Sequence, residues 1–129
     1  MNFVDPPELS AAFRTARELP LQPGHLSALV LQHGTMELRI YRPAAEDGQS
    51  PHDRDELYIV ASGSAVLMRG ERHSPWDEPD LMAEAAERIP MGVGDAVVVP
   101  AGSPHCFAEA SPDFATWMVF WGPEGGEAP

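Results

Sequence analysis

Short apolar runs separated by proline and glycine recur from about residue 25 to residue 121. Met36-Glu37-Leu38-Arg39-Ile40-Tyr41-Arg42 alternates, with Met36, Leu38 and Ile40 on one face. A period of two is the mark of a half-buried strand. Ala96-Val97-Val98-Val99 is β-branched and short, as a buried strand would be, and Cys106-Phe107-Ala108 follows the break at Pro100, Gly102 and Pro104. Leu57–Ala61 and Ser64–Arg69 flank Ser62-Gly63 and predict a hairpin. His25–Gln32, Arg88–Met91 and Phe114–Trp121 complete the set of expected strands. Helical spacing occurs near the start, where Leu9, Ala12, Phe13 and Ala16 recur between a cap at Asp5-Pro6 and a stop before Pro20. The stretch between Gly70 and Arg88 is polar and irregular or helix-like, and holds His73 and Trp76 as candidate lid residues.

Fourteen prolines and eleven glycines among 129 residues act as turn punctuation and favour an all-β barrel or sandwich. The length suits one core, divided into an N-terminal helix and lead-in (1–24), a barrel (25–122) and a loose tail (123–129). The formal net charge of −12 argues against nucleic acid or an anionic membrane surface as partner. Cys106 is the single cysteine, which excludes an intrachain disulfide and fits a reducing cytoplasm. Its expected role is packing, on the side of its strand opposite His105. Residues 1–20 carry three acids and no long apolar run, so neither a secretory leader nor a membrane span is expected.

The chemistry lies in two stretches. Gly94-Asp95-Ala96-Val97-Val98-Val99-Pro100-Ala101-Gly102-Ser103-Pro104-His105 spaces glycine, proline, glycine and histidine as the second motif of the cupin superfamily does, and resembles it throughout. Glu109 stands where that motif closes on asparagine. Upstream, His52 precedes Glu56 by four positions and Glu56 precedes Gly63 by seven, similar to the end of the first cupin motif. Ser50 takes the place of the first histidine of the family's His-x-His pair.

The resemblance implies a cupin-type double-stranded β-helix, or jelly roll, with a short N-terminal helix, and a homodimer. It also implies a mononuclear site of His52, Glu56 and His105 holding one divalent transition metal: iron, manganese, nickel, copper or zinc. Two neutral imidazoles and a carboxylate are a suitable donor set for such an ion. His52 and Glu56 share strand parity, so both would face the interior. Expected around them are Ser50, Arg54, Tyr58, Phe107, Trp117 and Met118, with Arg54 in reach of an anionic substrate. Parity alone leaves open whether Trp117, Val119 and Trp121 or Thr116, Met118 and Phe120 face inward. Asp55 would point outward into solvent. Two function classes fit: an enzyme acting on a small oxygenated metabolite by dioxygenase- or isomerase-like chemistry, or a non-catalytic small-molecule binder, with or without a metal.

Overall fold

The structure is a computed structural model, and it describes residues 27–43, 52–70 and 87–128. The expected N-terminal helix, Ser50, His73 and Trp76 lie outside the described residues. Within them the chain is all strand: β1 (Ser27–His33), β2 (Met36–Tyr41), β3 (Asp55–Ser62), β4 (Ala65–Arg69), β5 (Glu87–Met91), β6 (Ala96–Val99), β7 (His105–Ala108) and β8 (Ala115–Trp121). The anticipated strands are all present, within three residues at their described ends. β3 also takes in Asp55 and Glu56.

The strands form a five-stranded sheet of order β1-β2-β8-β3-β6 and a three-stranded sheet of order β5-β4-β7, with every pairing antiparallel. The last strand lies between β2 and β3, so the sheet closes through distant parts of the chain, as in a jelly roll. Tyr41, Tyr58, Val60, Val99 and Met118 from the larger sheet meet Ala65, Leu67, Met91 and Phe107 from the smaller one, with Phe114 beside them. Burying these side chains is the main favourable term in folding.

Register sorts the larger sheet into rows. One inward row runs Glu37, Phe120, Glu56, Val99, and the next runs Arg39, Met118, Tyr58, Val97. On the outer face, Leu31, Leu38, Val119, Leu57 and Val98 form an apolar row across five strands. Ala28, Ile40, Trp117, Ile59 and Ala96 form a second. Leu38 and Ile40 of β2 therefore face outward, and its inner side carries Glu37 and Arg39 beside the core residue Tyr41. Ala28, Ile40 and Ala115 make a satellite cluster on the outer face, with Val30 and Trp117 packed against it.

The β3–β4 hairpin turns at Gly63, whose φ of 68° is left-handed. A Cβ at Gly63 would lie 2.4 Å from Ser111 Oγ and 2.8 Å from Phe114 Cα. The close approach is used: Ser111 Oγ accepts the Ser64 amide at 2.9 Å, and the Ser111 amide donates to Ser64 O at 2.8 Å.

Candidate metal centre

His52 sits just before β3, Glu56 is the second residue of β3, and His105 opens β7. The two motifs are tied directly, because the Gly102 amide donates to His52 O at 2.7 Å. Gly102 has φ 80°, which glycine adopts without the Cβ penalty. The tight turn from Pro100 to Ser103 then delivers His105 to the interior, where it and Glu56 are fully buried.

The imidazoles are oriented by the main chain. His105 Nδ1 lies 2.9 Å from Ser103 O, and His52 Nδ1 lies 2.6 Å from Arg54 O. A carbonyl only accepts, so both Nδ1 atoms carry the proton and both rings turn Nε2 toward Glu56. Glu56 Oε1 is 3.0 Å from His52 Nε2 and 3.1 Å from His105 Nε2. In neutral rings these contacts set lone pair against lone pair, an arrangement that needs a proton or a cation between the atoms. Glu56 Oε2 and His105 Nε2 are buried with no hydrogen-bond partner among the described residues. One ligand atom from each of the three lies within 4.8 Å of the others, a group that could hold one metal ion.

Electrostatics follow from this geometry. Burial alone would raise the Glu56 carboxyl, but the imidazoles of His105 and His52 outweigh it and hold it below the usual carboxylate range. Burial likewise opposes charge on His52, and the Glu56 carboxylate outweighs it and raises that imidazole. The His52 and His105 rings are 4.9 Å apart, edge to face. Tyr58 and Phe107 pack edge to face at 4.9 Å and, with Met118, form an apolar layer beneath the donors.

Phe120 is a site residue that parity left undecided. Its ring lies 5.0 Å from that of His52, and the Arg54 guanidinium carbon is 5.4 Å from its centroid. Met118 faces the same interior, whereas Trp117 is on the outer face beside Ile40, which corrects its expected place in the pocket: alternation sends neighbours to opposite faces. Cys106 is half-buried and pairs with Met68. Glu109 is exposed and bonded to Arg88, apart from the histidines. A cavity of about 420 Å³ between Ala65, Met91, Asp95 and Glu109 contains none of the three donors.

Two polar residues were not singled out. Glu37 and Arg39 lie on the inner face, where the Glu37 carboxylate bridges Arg54 and Arg39. Arg54, with Arg39 adding to its effect, holds the Glu37 carboxyl low. Asp55 has the outward parity expected of it but is only 8% exposed. Its Oδ1 accepts the Ala101 amide at 3.0 Å and its Oδ2 the Glu127 amide at 2.8 Å, which satisfies a carboxylate that would otherwise be costly to bury. Residues 122–128 fold back over this point, with the Gly125 amide donating to Asp53 O at 2.6 Å.

Comparison with known proteins agrees with this architecture. An uncharacterized protein of Streptomyces coelicolor is 35% identical over 78 residues, 60% of this chain and 60% of the relative's length. The cupin domain of Schizosaccharomyces pombe Cnp3 superposes with a TM-score of 0.60 at 10% identity, covering 84% of this chain and 67% of that one. A DMSP lyase of Ruegeria pomeroyi superposes at 0.53 with 18% identity, covering 74% and 46%. These structural likenesses are likenesses of fold. The profile of the Cupin domain family matches residues 37–121, about two thirds of the sequence, from the second residue of β2 to the end of β8, and the chain belongs to that family.

Proposed function

We propose that His52, Glu56 and His105 hold one divalent transition metal and that the protein acts there on a small oxygenated metabolite, by dioxygenase- or isomerase-like chemistry. The observation that carries this reading is the pair of Nε2 atoms facing one carboxylate, with Glu56 Oε2 left over. Donors about 2.1 Å from one ion at right angles lie about 3.0 Å apart, so the separations suit an ion such as iron, manganese, nickel, copper or zinc. Three protein ligands leave coordination positions open, and a bound ion would supply Lewis-acid or redox chemistry there.

The chain's own residues have distinct parts in this reading. Ser103 O and Arg54 O fix the tautomer of each ligand, a second layer that raises ligand basicity. Tyr58, Phe107 and Met118 exclude water from beneath the donors. A reducing cytoplasmic setting and a homodimer belong to the same reading. No described helix is long and apolar enough to cross a membrane. The outer row of Leu31, Leu38, Val119, Leu57 and Val98 carries no charge, so a second copy of this acidic chain can meet it without apposing like charges. Leu31 and Val98, at opposite ends of one row, are 47% and 44% exposed. Metal analysis of wild-type protein and a Glu56→Gln variant tests the central claim.

A further inference from the structure

The inner side of the larger sheet gathers two guanidinium groups and two carboxylates beside the proposed metal: Arg39, Arg54, Glu37 and Glu56. Glu56 is committed to His52 and His105. Two guanidinium groups then remain, those of Arg39 and Arg54, and they share one carboxylate, Glu37. Glu37 reaches them with different oxygens, Oε1 to Arg39 and Oε2 to Arg54. Thr35 O takes a further Arg54 donor at 3.0 Å, and Ser27 Oγ one from Arg39 at 3.4 Å. Each guanidinium has five N–H donors, so these contacts leave donors to spare. Both side chains are about a quarter exposed, at 26% and 29%, and are open to a ligand.

Their position matters as much as their charge. Arg54 and His52 flank the same Phe120 ring, 5.4 Å and 5.0 Å from its centroid, so the guanidinium lies within about 10 Å of the imidazole. A short molecule spans that distance. Glu37 is an internal stand-in: it already places a carboxylate between the two arginines, the planar group that a guanidinium fork matches best. A net-negative chain repels anions at long range, so a locally cationic spot beside the donors has a selective use.

We propose that the small molecule taken at this site bears a carboxylate, bound by Arg54 with support from Arg39, while an oxygen elsewhere on it faces the metal. The proposal deepens the metal-site reading and rests on it for the second anchor. The arginine anchor stands by itself.

The test uses the full chain loaded with zinc, which is redox-silent, with occupancy first verified by elemental analysis. Glycolate, malate, 2-oxoglutarate and benzoate, each beside its methyl ester, and inorganic phosphate are titrated by calorimetry and thermal shift. At least one acid is expected to bind while its ester does not. Arg54→Gln should weaken that acid about tenfold or more, Arg39→Gln less, and Arg54→Lys should recover part of the loss, each compared with wild type at matched, verified zinc occupancy. Each variant's melting curve separates lost binding from lost fold. Zinc-loaded protein that binds no acid, that binds acid and ester alike, that prefers phosphate, or whose acid affinity survives both Gln substitutions overturns the proposal. Protein that takes no zinc overturns the metal reading instead. The carboxylate proposal is then decided by the same acid and ester titrations on metal-free protein.

Discussion

The carboxylate of Asp55 accepts the main-chain N–H of Ala101 at 3.0 Å, joining the residue before Glu56 to the turn that delivers His105. Its other oxygen accepts the Glu127 amide at 2.8 Å. One buried acid therefore braces both halves of the donor set and the end of the chain, without pointing at the metal position itself.

Asp55→Ala should leave the buried Ala101 amide unpaired and cost about 1–3 kcal/mol of stability. Metal affinity should fall about 10–100-fold, the usual effect of losing a group that orients ligands. Urea melts and competitive metal titration read the two effects. An unchanged affinity in a folded variant would remove Asp55 from the account of the site.

The metal-free protein should show a pH optimum set by the donors. Glu56 has a lowered carboxyl, so its contribution is present above the unfolded value, about 4.3, and is lost as pH falls through the lower folded value. His52 has a raised imidazole, so its contribution is full below about 6.5 and is lost as pH rises through the higher folded value. Stability of the metal-free form should therefore decline above neutrality. In the loaded form the ion replaces the proton, and that alkaline decline should disappear. Melting temperatures from pH 5 to 9, with and without metal, check this.

Val119 sits near the middle of the outer apolar row, between Leu38 and Leu57. Val119→Glu should shift sedimentation from dimer to monomer while leaving the metal content near that of wild type, since the inner face is untouched. A wild-type monomer at micromolar concentration would contradict the assignment of that face to a second copy.

Most of the fold could be read from the chain because alternation and turn residues agree along it. The Ser62-Gly63 turn is a case where local chemistry and tertiary structure ask for the same thing, whereas Ala96–Val99 forms the expected strand but at the sheet edge, with Val99 alone buried instead of the whole run. The resemblance to the two cupin motifs likewise implied that His52, Glu56 and His105 converge, as they do. β2 shows where such reading stops. Met36, Leu38 and Ile40 lie outside the barrel and Glu37 and Arg39 inside, with Tyr41 in the core, because the mouth of the barrel is polar and the outer face carries an apolar cluster. Alternation identifies two faces but does not say which is inner. The same ambiguity left Phe120 undecided and misplaced Trp117. Asp55 was hidden differently, since its burial comes from Ala101 and Glu127, 46 and 72 positions along the chain.

The measurement that bears most directly on the central claim is elemental analysis of purified, untagged protein beside Glu56→Gln. That substitution preserves shape and removes the anionic ligand. About one equivalent of a divalent transition metal per chain in the wild type, lost in a variant that still melts cooperatively, is the expected result. Wild-type protein that stays metal-free after reconstitution with iron, manganese, nickel, copper and zinc in turn, or a variant that keeps the full equivalent, would contradict it.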